Sequence, residues 1–325
     1  MDTIKIEIRV GSDSDFPKIQ GAFNFLNSLG IPHDKRILSA HRTPDAMMHA
    51  AQLLEDKGYL ASIAAAGGAA ALPGMTASKT LVPVVGLPVE TTKLGGMASL
   101  LSIIEMPEGV PVGSVGIGQA ESAAILATQI AYVDNVEVRN MIRKKRGIER
   151  ELHIVDKGKN LVGFIDSSRN KANYNEFESF SNDLGLEVES FSAKQSVRDY
   201  LKNIEDAGAR AVVVFGTYVE FDSTINLPKT ISQYTDLPVI GVPLESEDHK
   251  MGLSDLSTML CSERDEEKPI GYPVAGMGIN GVRNAALYAA QICGNFNSEI
   301  RNQLRNYRET KSAEVEKKDA NLQGK

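Results

Sequence analysis

Ser39, His41 and Arg42 crowd into SAHRTP, residues 39–44. An arginine can fork onto a phosphate. A histidine titrates near neutrality, the property needed by a group that gives and takes a proton. Two other stretches could do chemistry. In GSDSD, residues 11–15, Gly11 allows a tight turn. Ser12 and Ser14 offer hydroxyls beside backbone N–H groups at a helix start, a cradle for an anion. Asp13 and Asp15 would repel phosphate and suit sugar hydroxyls. In AAAGGAAALPG, residues 64–74, Gly67 and Gly68 let the backbone approach a flat ring or a small gas molecule. Each stretch also has a plain reading: an Asp-capped helix, a surface histidine beside a capped helix, and a Gly-Gly turn packed on a neighbour. The choice depends on whether the three stretches meet.

The elements around them say that they do. IKIEIRV, residues 4–10, is a strand. Residues 16–30 read as a helix, with Ile19, Phe23 and Leu26 on one face, Pro17 in the first turn and Gly30 at the stop. DKRILS, residues 34–39, is a second strand. Thr43 caps the next helix, Pro44 takes its first position, and Asp45 complements the dipole. Met47, Met48, Ala51 and Leu54 form that helix's buried stripe. LASIAAA and LVPVVGLP are short apolar runs, read as buried parallel strands. Such alternation implies an open doubly wound sheet with ligands at the C-terminal ends of its strands. All three loops follow strands and converge on one edge, which favours the functional reading of His41 and Arg42.

The pattern occurs twice. Ser39–Ala40 recurs as Ser192–Ala193, PVVGLPVE from Pro83 as PVIGVPLE from Pro238, and ATQI from Ala127 as AAQI from Ala289. Order is kept while the offset drifts from 153 to 162 residues, as loop insertions would produce. A period this long means two globular copies, not a solenoid. The expected organisation is two tandem doubly wound, flavodoxin-like α/β domains, each a mostly parallel sheet flanked by helices. The boundaries are 1–156 and 161–307, with DKGKN as linker and 308–325 as a charged tail whose end frays.

Composition narrows the function. The net charge of −7 argues against nucleic acid as partner. The basic run Arg143–Arg146 is read as a solvated helix face, since Glu149 and Glu151 follow it. No apolar run reaches the roughly 20 residues of a membrane span, and the start of the chain is not that of a signal peptide, so no membrane is involved and the cytoplasm is expected. Cys261 and Cys293 read as reduced thiols, and the five scattered histidines give no metal site.

Taken in order, GSDSD, SAHRTPD, AGGAAALPGM, KTLVPVVGLPV, SLLSIIEMPEGVPV and GIG resemble the class I N5-carboxyaminoimidazole ribonucleotide mutases of purine biosynthesis, also known as the catalytic subunit of phosphoribosylaminoimidazole carboxylase. The resemblance covers nearly all of the first copy. The second shares the sheet and, near its end, AALYAAQI and LRNYRETKSAEV. What the resemblance implies is a carboxyl transfer from N5 to ring carbon C4 of a small-molecule nucleotide, through CO2 held in a closed pocket, with no cofactor. It makes His41 the proton carrier, sets Ser12 and Asp15 on the substrate with Asp15 at the ribose, and gives Ser39 and Arg42 the phosphate. Gly67 and Gly68 line the CO2 site, and EMPEGVP, residues 105–111, closes over a neighbouring subunit's site. It implies eight single domains, hence a homotetramer of tandem chains.

The chain departs from the family at Ala71, where a histidine is usual, at Ala98 in place of an aspartate, and at Gln119 in place of a lysine. The second copy departs further: DSSRN is its first loop, with Arg169 near the place of Asp15; Lys194 and Gln195 replace His41 and Arg42; FGTYVEF replaces the glycine-rich loop. The expectation is a catalytic first copy and a structural second one. Direct carboxylation of aminoimidazole ribonucleotide by CO2 is an alternative in the same pocket. A non-catalytic nucleotide sensor is one of another class.

Overall fold

A computed structural model of the chain describes residues 5–68, 70–91, 94–153, 159–167, 171–192, 195–216, 218–219, 222–245, 256, 260 and 272–323. The first copy supplies β1 (Lys5–Val10), β2 (His33–Ile37), β3 (Tyr59–Ala66), β4 (Val84–Pro88) and β5 (Gly113–Ser114). The second supplies β6 (Leu161–Asp166), β7 (Glu187–Ser190), β8 (Ala211–Phe215), a small hairpin β9 (Tyr218–Val219) and β10 (Asp222–Asn226), then β11 (Val239–Val242) and β12 (Ala275–Gly276). All but the hairpin join one ten-stranded sheet in the order β2-β1-β3-β4-β5-β12-β11-β8-β6-β7. Neighbours within each copy are parallel; at the seam β5 and β12 run antiparallel. Each half therefore repeats one doubly wound order, and the halves are related by a pseudo-twofold axis at the seam.

The seam is built on glycine. A Cβ on Gly113 would lie 2.7 Å from the Tyr288 ring and 2.9 Å from the Ala275 Cβ. Tyr288 lies on the second copy's α10 (Val282–Gly294), and its hydroxyl donates to the Val84 carbonyl of β4 at 3.2 Å. Only a residue without a side chain lets that ring through.

The remaining helices are α1 (Gln20–Ser28), α2 (Pro44–Gln52), α3 (Ala71–Ala77), α4 (Met97–Ile104), α5 (Ala120–Ala131) and α6 (Val136–Arg146), then α7 (Lys171–Asp183), α8 (Val197–Asp206), α9 (Leu227–Tyr234) and α11 (Ser298–Gln323). Ile19, Phe23, Leu26, Met47, Ala51 and Leu54 are buried, and Met48 is half-buried. Three local expectations differ. Residues 13–19 wind as a 3-10 segment with Pro17 inside it, and the α-helix begins only at Gln20. Thr43 stands at the N-cap of α2, but its hydroxyl turns back to the Ser39 carbonyl. The charged segment after Tyr307, expected to fray at its end, is helical and continues α11 to Gln323. The linker DKGKN lies mostly outside the described residues. Among the described residues no helix is long and apolar enough to cross a membrane.

The basic run is solvated only at its lysines, Lys144 and in part Lys145. Arg143 and Arg146 are buried, because α6 packs on the other copy. Arg139 pairs with Asp236 at 2.5 Å, and Arg143 pairs with both Asp236 and Glu205. Arg146 donates to the Thr235 carbonyl at 2.8 Å and also to that of Ser232. The second copy returns the contact through α11: Arg305 pairs with Glu55 at 2.9 Å, and Arg308 donates to the Thr80 carbonyl at 2.6 Å. Arg143 and Arg305 are repeat counterparts, as are Arg146 and Arg308, and Thr235 and Thr80. Each copy thus lends its last helix to the other.

Candidate active site

Because β1 lies between β2 and β3, the loops after these three strands are neighbours at the C-terminal edge of the first half-sheet. The first loop folds on itself. Ser12 caps the 3-10 segment by accepting from the Ser14 amide at 3.4 Å, and the Ser14 hydroxyl donates to the Ser12 hydroxyl at 2.9 Å. The Asp15 amide donates to the Ser12 carbonyl at 3.1 Å. Burial raises the Asp15 carboxyl above its ordinary range, and Lys18, 4.0 Å away, only partly offsets this.

The second loop is tied to the first by Arg42. Its Nη2 donates to the Gly11 carbonyl at 2.9 Å, and its Nε and backbone amide both reach the Ser39 hydroxyl, at 3.4 and 3.1 Å. The Ser39 amide in turn donates to the Thr43 hydroxyl at 3.1 Å. This explains why Thr43 does not cap α2: its oxygen is spent on the loop. Arg42 and His41 are exposed, as are Gly67 and Gly68 after β3. Gly68 has φ +66°, a conformation side chains resist, and its carbonyl accepts from Ser99 of α4 at 3.3 Å. A Cβ on Gly67 would meet Thr91 at 2.9 Å. Contacts thus join Gly11, Ser12, Asp15, Ser39 and Arg42 directly, and Gly67 and Gly68 reach the group through the strand order. Ala71 opens α3, half-buried beside Met75 and Met106. Gln119 is engaged elsewhere: its Nε2 donates to the Leu260 carbonyl of the second copy at 3.0 Å.

Under this edge lies a cluster that strand alternation alone did not reveal. Glu7 and Arg9 on β1 are both buried. Arg9 Nε donates to Glu7 at 2.7 Å, Arg9 Nη1 to Thr76 of α3 at 3.1 Å, and Ser62 of β3 to Glu7 at 3.2 Å. A buried pair of opposite charge persists when hydrogen bonds satisfy it. Here it locks α3, and so the glycine-rich loop, to β1. A separate cavity of about 460 Å³ opens beside the first loop, between Lys18, Pro88, Glu90 and Gly118. Lys18 closes one side by donating to the Glu90 carbonyl at 3.1 Å. The loop cluster holding His41 lies outside its walls.

At the same edge of the second half-sheet, Gly216 is followed by the β9–β10 hairpin, so a hairpin stands where the first copy has Gly67 and Gly68. Gln195, in the place of Arg42, has its amide on the Ser192 carbonyl at 3.1 Å. Arg169 and Lys194 lie outside the described residues.

Three loops gathered on one doubly wound edge, two of them fastened by Arg42, place the candidate residues where an open α/β fold of this class binds its ligands. The chain belongs to the AIR carboxylase family, whose sequence model matches it twice, over residues 5–151 and 166–314. Over 144 residues it is 45% identical to the N5-carboxyaminoimidazole ribonucleotide mutase of Escherichia coli K12, a match covering 44% of this chain and 85% of that one. It is 45% identical over 149 residues to the mutase of the same name from Thermotoga maritima, covering 46% and 87%. It is also 49% identical over 126 residues to the chloroplastic phosphoribosylaminoimidazole carboxylase of Vigna aconitifolia, covering 39% of this chain and 23% of that one.

Proposed function

We propose that the first copy converts N5-carboxyaminoimidazole ribonucleotide to 4-carboxy-5-aminoimidazole ribonucleotide. The observation that carries this is Arg42, which ties the loop of Ser39 and His41 to the loop of Ser12 and Asp15. Arg42 and Ser39 hold the phosphate, Ser12 and Asp15 the ribose side, and the bare backbone at Gly67 and Gly68 takes the small, flat groups. In the reaction the N–carboxyl bond breaks, CO2 leaves, and the nitrogen gains a proton from His41. Carbon C4 then attacks the retained CO2, and the C4 proton returns to His41, so the side chain ends as it began. The chemistry balances without a cofactor.

Retaining CO2 requires the exclusion of water, yet His41, Arg42, Gly67 and Gly68 are exposed in one chain. The cover therefore comes from other copies, consistent with a homotetramer that keeps eight domains. The second copy has no pocket of its own on this reading: the β9–β10 hairpin stands where the glycines would be. The site of action is the cytoplasm. The deciding experiment mixes purified protein with the N5-carboxy nucleotide in the absence of ATP and follows the C4-carboxy product. The likeness to a relative named as a carboxylase supports a second reading, direct addition of CO2 to aminoimidazole ribonucleotide. Turnover that depends on added bicarbonate and not on the N5-carboxy group would select it. Binding without turnover of either nucleotide would leave a sensor.

A further inference from the structure

We propose that Asn284, in the second copy, is a positioning residue for the first copy's active site. It fixes loop 105–111, whose Met106 braces the helix that follows Gly67 and Gly68. The proposal rests on the reading that the first copy catalyses.

Asn284 lies in the first turn of α10 and is only 8% exposed. Its whole amide is spent on the other copy. Oδ1 accepts from the Gly109 amide at 3.0 Å, while Nδ2 donates to the carbonyls of Met106 at 3.3 Å and Pro107 at 3.1 Å. The loop belongs to no helix or strand, and Gly109 turns it at φ +98°, so one side chain does the work of a backbone partner. Glu108 adds an outer tie to Tyr307 at 3.0 Å, with Arg283 at 3.4 Å and Lys311 at 3.6 Å. Burial pushes the Glu108 carboxyl up, but Tyr307 and the two cations outweigh it and hold it below its ordinary range.

The same loop touches the site. The Met106 Sδ and Cε lie 2.7 Å from where a Cβ on Gly74 would stand, so the thioether sits directly on α3. Met106 and Val110 share an apolar cluster with Ala71 and Met75 of α3. α3 starts at Ala71, three residues after Gly68, and is tied from beneath by Arg9. Loop 105–111 is thus the upper brace of the helix carrying the glycine-rich turn, and Asn284 anchors the brace. The repeat shows the division of labour. Ser122 is the first-copy counterpart of Asn284 and is too short to span three backbone groups. The loop is retained in one copy and the amide that holds it in the other.

The test uses the full chain with Asn284→Leu and Met106→Ala, read by steady-state kinetics and by hydrogen exchange of the loop amides. For Asn284→Leu, amides of residues 105–111 should lose protection. The kcat should fall about tenfold or more, because small misplacement at a reacting centre is costly, while KM for the nucleotide stays within about twofold, since the phosphate and ribose loops are untouched. Met106→Ala should lower kcat alike with Gly109 still protected, and it carries the test if Asn284→Leu does not fold. Loop amides that stay protected, or loosened amides with unchanged kcat, overturn the proposal. A wild-type chain that turns over neither nucleotide overturns the assigned reaction instead, and exchange still reports whether Asn284 pins the loop.

Discussion

His41 and Arg42 are adjacent in sequence and differ in their contacts. Arg42 is built into the scaffold of the site through Gly11 and Ser39, whereas His41 stands exposed beside it. His41→Asn should therefore abolish turnover, by at least the 10²–10⁴-fold typical of a lost acid–base group, with nucleotide affinity retained in calorimetry. Retained turnover would remove His41 from the reaction. Arg42→Ala should weaken nucleotide binding by about 1.5–3 kcal/mol, and Arg42→Lys should not restore it, because an ammonium cannot span Gly11, Ser39 and a phosphate together. An Arg42→Lys variant with wild-type affinity would show that the fork is unimportant.

At the scale of elements, the exchanged helices are pseudo-symmetric in position and unequal in strength. Asp236 is fully buried between Arg139 and Arg143; burial pushes its carboxyl up, but the two guanidinium groups outweigh that and hold it below the ordinary range. Asp236→Asn leaves buried Arg139 without its carboxylate and Arg143 with Glu205 alone, and should cost about 3–5 kcal/mol of stability in urea titration. Arg305→Ala removes the counterpart pair to Glu55, which is half-exposed on the arginine side, and should cost less than about 1 kcal/mol. Equal costs would contradict the burial argument. The acid response follows in sign. A lowered carboxyl adds stability above its unfolded range, and that stability is lost as pH falls through the lowered value. Glu205 is raised, first by burial and then by Asp236, so it works the other way and gains as pH drops from its raised value toward the ordinary one. Asp236→Asn should remove the loss at the acid end, and Glu205→Gln should remove the gain above it; acid titrations of stability that the two substitutions leave unchanged would refute this assignment.

For the whole molecule, one continuous sheet with reciprocal helices makes the tandem chain a built-in dimer of family domains. Light scattering should give four chains of 35.2 kDa, about 141 kDa in closed symmetry; a monomer would leave the exposed site without a cover. Lys194→Ala should leave turnover nearly intact with assembly unchanged. A large loss would mean that the second copy does chemistry of its own.

The sequence alone determined the duplication, the alternating elements and the three loops, because buried strands and turn glycines leave a local mark: Gly30 and Gly68 take positive φ where the chain must turn. It also determined the family, since GSDSD, SAHRTPD and AGGAAALPGM keep their order. Tertiary structure decided the rest, for reasons no local pattern carries. Glu7 and Arg9 alternate with isoleucines along a strand, and both are buried because helices cover both faces of the sheet. Arg143 and Arg146 read as solvated and are buried because their partners, Glu205, Asp236, Ser232 and Thr235, arrive from the other copy some 60 to 90 residues away. Thr43 gave up its cap because Ser39 offered it two hydrogen bonds at once. Asn284 carries no signal in its own helix, since what it holds is a backbone turn more than 170 residues earlier in the chain. Burial and pairing across the seam depend on where the two copies meet, and that is a property of the folded sheet.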